Sequence, residues 1–162
     1  MRDLFKTLTV AIALIALSSC DEGGDFDPGA TQVVEMSGDW FVQTFVGDVL
    51  VLDYSQISTY NTAADDGTEI WVDDHGNIWD FKVKSPVDLQ QLTFSGSDLT
   101  SVVEDYNITV SISNGTITKD GATTTGGNTA DQISFDVEFS DDPGTIYTMI
   151  GYKRNGLLED EH

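Results

Sequence analysis

Alternation with a period of two constrains this chain more than any other feature. Ile133, Phe135, Val137 and Phe139 are apolar while Ser134, Asp136 and Glu138 between them are polar, and Trp79, Phe81 and Val83 alternate in the same way with Asp80, Lys82 and Lys84. Successive side chains of an extended strand point to opposite faces, so this pattern describes strands with one buried and one wet face. Eight short runs rich in β-branched and aromatic residues carry the character of strands: residues 40–46, 70–73, 78–84, 90–95, 106–113, 116–119, 133–139 and 145–153.

The segments between them have turn chemistry. Asn114-Gly115, flanked by Ile112 and Ile117, reads as a two-residue hairpin turn with positive φ at both positions. Residues 73–77 (DDHGN) and 141–144 (DDPG) read as further polar turns, residues 123–129 (TTTGGNT) as a mobile loop, and residues 47–58 as a strand, a turn or both. No amphipathic helix and no internal repeat is evident. Sequential hairpins imply an antiparallel meander, and a meander of this length loses its exposed edges by closing. The expected fold is therefore all-β, an up-and-down meander closing into a lipocalin- or calycin-like barrel of about eight strands.

The N-terminus belongs to a different physical class. Arg2 and Lys6 precede an apolar run at residues 8–17 (LTVAIALIAL), and small residues Ser18 and Ser19 lead to Cys20. The run is about half of the roughly 20 residues needed to span a bilayer, so it reads as an export signal. Residues 17–20 (LSSC) resemble the bacterial lipobox, which implies cleavage after residue 19 and acylation of Cys20, the only cysteine. Each buried methylene contributes about 0.8 kcal/mol, so a multiply acylated cysteine is enough to hold a protein on a membrane. The expected organisation is a signal peptide over 1–19, a lipidated cysteine and acidic tether over 20–35, and a single barrel domain over 36–162. Acidic residues directly after the cysteine resemble a surface-export signal of some Gram-negative lipoproteins, so the expected location is the cell envelope, at the outer membrane or the cell surface.

Removing the signal leaves five basic against 27 acidic side chains, a net charge of −22. Phosphate backbones require a basic face, so a nucleic-acid partner is excluded as an expectation.

Residues 58–64 (STYNTAA) and 69–84 (EIWVDDHGNIWDFKVK) resemble the TYNTAA and EIWIDDxGNFWDFKVK segments of the family labelled lipid-binding putative hydrolase. Residues 116–125 (TITKDGATTT), 135–146 (FDVEFSDDPGTI) and 151–160 (GYKRNGLLED) are similar as well, so the resemblance spans roughly residues 36–161. It implies a cell-envelope lipoprotein with a calycin-like barrel, a lipid-like ligand and a hydrolytic activity. It brings no set of catalytic residues with it.

The residues themselves argue for binding over catalysis. A serine nucleophile needs a histidine to take its proton, and the candidates are His75 in a turn and His162 at the C-terminus. The strand pattern places neither beside a serine. There is no G-x-S-x-G, no H-E-x-x-H and no free thiol after acylation, and no catalytic residue, metal site or cofactor is expected. Asp65-Asp66, Asp73-Asp74 and Asp141-Asp142 lie in turn-like sequence, where solvation and turn chemistry compete with calcium ligation and acid–base catalysis. The aromatic residues are the better guide. Trp40, Tyr60, Trp71, Trp79, Phe81, Tyr106 and Tyr147 are distributed over the strands, where inward side chains either fill a small barrel or line its pocket. Arg154, with an aromatic ring, a protein carboxylate or a ligand carboxylate as its partner, completes the candidate ligand-binding set. The reading is a membrane-anchored barrel that binds a small apolar or amphipathic molecule, with an ester hydrolase or a solid interaction module as the alternatives.

Overall fold

The computed structural model describes residues 29–162. The expected export signal, Cys20 and most of the expected tether lie outside the described residues. Thr31–His162 form one compact unit. A short 3-10 turn, Val34–Met36, is followed by eight strands: β1 (Gly38–Val46), β2 (Val49–Asn61), β3 (Glu69–Asp73), β4 (Lys82–Asp88), β5 (Thr93–Thr100), β6 (Thr109–Thr123), β7 (Thr129–Phe139) and β8 (Tyr147–Lys153). Each strand pairs antiparallel with the next, and β8 returns to β1 from Trp40↔Lys153 to Val46↔Tyr147 to close the barrel.

The number of strands agrees with expectation, but several of the expected boundaries do not. The open stretch 47–58 is a turn at Gly47-Asp48 followed by most of β2. Conversely, 116–119 is no separate strand. Asn114-Gly115 is a bulge inside a continuous β6, where the pairing with β7 shifts between Ser113 and Thr116. Asn114 has the expected positive φ of 55°, but Gly115 does not, and it pairs with Phe94 of β5 instead of turning the chain. A Cβ at position 115 would sit 2.2 Å from the Phe94 carbonyl oxygen, so the glycine permits close strand approach and not a turn. The strand expected over 78–84 starts only at Lys82, for a reason given below. Tyr106 lies in the loop before β6 and not within a strand. Residues 124–128 form a tied connection: the Gly126 N–H and the Asn128 amide donate to the buried Asp160 carboxylate at 2.6 and 2.9 Å.

Alternation puts Trp40, Val42, Ile57, Ile70, Val72, Phe81, Val83, Val110, Ile112, Ile133, Phe135 and Val137 inside, each 0–2% exposed. No water-sized space adjoins such side chains, so the middle of the barrel is packed to the density of an ordinary core. Val33 and Met36 join that core from the 3-10 turn. Trp40 Nε1 donates to Thr59 Oγ1 at 2.8 Å, and Thr59 donates to the Met36 carbonyl at 2.6 Å, which fixes the turn to β1 and β2. The opposite end carries the loops β1–β2, β3–β4, β5–β6 and β7–β8.

Candidate functional site

The β3–β4 loop, residues 74–81, organises the functional surface. Asp74 is fully buried, and its carboxylate accepts five backbone N–H groups: Gly76 and Phe81 on Oδ1 at 3.0 and 2.8 Å, and Ile78, Trp79 and Asp80 on Oδ2 at 3.2, 2.7 and 2.9 Å. These N–H groups would otherwise seek a neighbouring strand, so the loop curls around the carboxylate and β4 begins late. Positive φ at His75, Gly76 and Asp80 completes the curl. One side of this loop borders a polar depression and the other an apolar cleft.

The depression, about 630 Å3, lies on the outer wall over β1, β2 and β3 and is lined by Asp39, Ser58, Tyr60, Asp73, His75 and Lys82 among others. The register Asp39↔Ser58↔Asp73 sets three side chains in a row across the sheet. His75, two residues beyond Asp73, turns back over them. Its Nε2 lies 2.7 Å from Ser58 Oγ and its Nδ1 lies 3.4 Å from Asp73 Oδ1. Ser58 Oγ also lies 2.6 Å from Asp39 Oδ1. Asp73 accepts the His75 backbone N–H at 3.0 Å and the Tyr60 hydroxyl at 2.6 Å, and pairs with Lys82 Nζ at 3.1 Å. Burial works to raise the Asp73 carboxyl, but the bonds from Tyr60, the His75 N–H and Lys82 outweigh it and hold the group below its ordinary range. Burial and the neighbouring Asp73 push the Tyr60 phenol up.

The cleft, about 250 Å3, opens at the barrel end between Val51 and Leu52 of β2, Ile78 and Trp79 of the loop, Tyr147 of β8 and Thr44 of β1. Trp79 stacks on Phe139 at 4.6 Å with the rings 3° from parallel, and Tyr147 leans on both. The two aspartates of the β7–β8 turn hold this rim: Asp141 accepts from Trp79 Nε1 and the Tyr106 hydroxyl, and Asp142 accepts from the Tyr147 hydroxyl at 2.6 Å. The bond to Asp142 pushes the Tyr147 phenol up to about 12. Val49, Leu50 and Val51 continue the cleft as exposed aliphatic surface on the β1–β2 hairpin. Thr44 is 1% exposed, and its hydroxyl has no hydrogen-bond partner.

The candidate residues do not converge on one pocket. Trp40 and Phe81 are core side chains without exposed surface. Trp79, Tyr106 and Tyr147 meet at the barrel end. Tyr60 and Trp71 pair on the outer wall, where the ammonium groups of Lys82 and Lys84 lie 5.3 and 5.2 Å from the Trp71 ring centroid. Arg154 takes a protein carboxylate, binding Glu161 through Nε and an NH2 group at 2.6–2.8 Å, and lies over the Phe41 ring. Sequence reasoning missed Ser58, Thr44 and the placement of His75. Ser58 and His75 are 17 positions apart, and only the β2–β3 register brings them together. Among the described residues, no group of three or more His, Cys, Asp or Glu side chains is arranged to hold a metal ion.

The sequence matches the family described as "Lipid-binding putative hydrolase" over residues 25–158. The chain belongs to that family. The match covers every strand of the barrel, and the motifs that carry the resemblance fall on the elements just described: STYNTAA ends β2, and EIWVDDHGNIWDFKVK supplies β3, the Asp74-centred loop and the start of β4. No curated protein matches the chain.

Proposed function

We propose that this lipid-binding family member takes the apolar part of an amphipathic, lipid-like molecule into the cleft at the barrel end. One observation carries the reading: the unpartnered Thr44 hydroxyl is buried among Val51, Leu52, Ile78, Trp79 and Tyr147. A buried hydroxyl without a partner costs about 1–3 kcal/mol, a cost that a bound polar atom would remove. The cleft has room for a short acyl chain or a ring, and the aliphatic hairpin beside it extends the apolar surface. The packed barrel middle favours this rim over a central cavity.

The test is a titration of a medium-chain fatty acid and a steroid-like amphiphile into the soluble chain that begins after Cys20, followed by tryptophan fluorescence. Binding should quench Trp79 and raise the unfolding temperature. Thr44→Val should stabilise the free protein by about 1 kcal/mol, because it removes the orphaned hydroxyl, and should weaken binding. Quenching unchanged in Trp79→Phe, or binding unchanged in Thr44→Val, would place the ligand elsewhere.

In this reading the barrel works at the outer-membrane surface, held by a lipid on Cys20. Cys20→Ala should abolish incorporation of labelled palmitate and release the protein from the membrane fraction. A variant that still sediments with membranes would remove the anchor from the account.

A further inference from the structure

We propose that Ser58, His75 and Asp73 form a hydrolytic centre in the depression on the outer wall, acting on carboxylic esters with an apolar acyl group. The catalytic geometry is independent of the Thr44 cleft, and only the acyl preference rests on the apolar side of the loop that the cleft shares. Ser58 Oγ and His75 Nε2 are at hydrogen-bond distance, 2.7 Å, as a nucleophile and its base must be. Asp73 Oδ1 faces the other ring nitrogen at 3.4 Å, long for a hydrogen bond but in the range that tightens when substrate binds. The three come from the end of β2, the end of β3 and the first residues of the loop pinned by Asp74, so a rigid framework sets their positions. They line a broad, shallow depression on the barrel surface and do not sit in the core.

The neighbours supply the remaining roles. Lys82 brings a positive charge to the same depression, where the negative oxygen of a tetrahedral intermediate would form. Asp39 is a positioning residue. Its Oδ1 accepts the Ser58 hydroxyl at 2.6 Å, so the single Oγ hydrogen is turned to Asp39 while His75 Nε2 meets the oxygen. Catalysis needs that hydrogen on the side of His75.

The reaction balances with water as the only co-reactant. Ser58 Oγ attacks the ester carbonyl carbon while its proton passes to His75 Nε2. The intermediate collapses, the bond from carbon to the alcohol oxygen breaks, and His75 returns the proton to the departing alkoxide. Water then attacks the acyl-serine, gives a proton to His75, and releases the carboxylic acid as Ser58 is re-protonated. The acyl preference follows from the loop: His75 and Ile78 are three residues apart, so their Cα atoms lie within about 11 Å. An ester carbonyl at Ser58 thus has the loop's apolar side within reach of its chain.

A fluorophosphonate reagent tests the centre, because a serine activated in this way displaces fluoride and keeps the phosphonyl group. The full chain should be labelled at Ser58, as located by peptide mass spectrometry, and should release p-nitrophenol from the butyrate and octanoate esters. Ser58→Ala should lose both signals, and His75→Ala should slow labelling at least 100-fold, with unchanged unfolding temperatures showing that both variants are folded. Asp39→Asn should speed labelling of Ser58 several-fold, since its amide can donate to Oγ and leave the serine hydrogen to His75. Folded protein that is not labelled at Ser58 and does not cleave either ester overturns the proposal, as does labelling that survives His75→Ala. Labelling lost in Asp39→Asn but kept in His75→Ala would make the carboxylate the base and equally overturn it. The reagent needs no long chain, so failure here alongside normal quenching of Trp79 by fatty acid would remove the hydrolytic centre alone.

Discussion

Asp74→Ala should lower stability by about 3–5 kcal/mol, the range for stripping a buried charged group from its partners. The carboxylate has no exposed surface and accepts five N–H groups within eight residues, so its loss leaves a cluster of donors that no strand is placed to receive. Each donor left dry costs about 1–3 kcal/mol, but the exposed part of the loop at His75, Gly76 and Asn77 can open to water and recover some of this. At roughly 3–5 °C per kcal/mol for a domain of this size, the unfolding temperature should fall by about 10–20 °C. Asp74→Asn should fail as well, because an amide nitrogen would face N–H donors on one side. The loss should extend beyond stability. The loop carries His75 to Ser58 and Ile78 and Trp79 to the cleft, so a folded remnant should show slower labelling at Ser58 and weaker quenching of Trp79. Thermal denaturation with both assays separates these effects. A fall of less than about 1 kcal/mol would mean that the loop holds its shape without the carboxylate.

The same loop shows where sequence reading stops. Its pair Asp73-Asp74 is legible as turn chemistry, and so is Asp141-Asp142, because aspartate accepting nearby N–H groups is a local property. Phe81 and Val83 on the inner face are legible too, as is β7 from Ile133 to Phe139, because a strand with one wet face writes its alternation into the chain. β2 is ambiguous in the sequence because its first residues, Val49, Leu50 and Val51, lie at the barrel mouth, where consecutive apolar side chains break the period of two. Asn114-Gly115 misleads for the opposite reason: a bulge and a hairpin both use a residue that tolerates positive φ, and only the neighbouring strand tells them apart. The pairing of Ser58 with His75 is a matter of register. A shift of one residue between β2 and β3 would have turned Ser58 to the other face, and no local signal marks which register forms.

Closure of the barrel depends on one backbone contact of the same kind. Gly151 sits in β8 between Val42 of β1 and Ile133 of β7, with strands hydrogen-bonded on both sides. A Cβ at this position would lie 1.8 Å from the Phe41 carbonyl oxygen and 2.7 Å from the Val42 Cα. Both are main-chain atoms, so no rotamer change relieves the overlap, and one strand must move. Movement toward the core meets Trp40 and Val42, which have no exposed surface, and movement away breaks the β1–β8 ladder that removes the sheet's edges. Gly151→Ala should therefore cost about 3 kcal/mol or more, at or above the upper end for overpacking. Gly127→Ala is the matched control: its φ of 88° strains an alanine, but nothing lies within 4 Å of the added carbon, so strain alone should cost about 1–2 kcal/mol. Denaturant titrations of the two variants compare the costs, and amide exchange reports their location. In Gly151→Ala, the amides of β1 and β8 should exchange faster than those of the β6–β7 pair, since the seam opens before the rest of the sheet. Equal protection in all four strands would mean that β1 and β8 approach less closely at this position, and that closure is carried elsewhere along the seam.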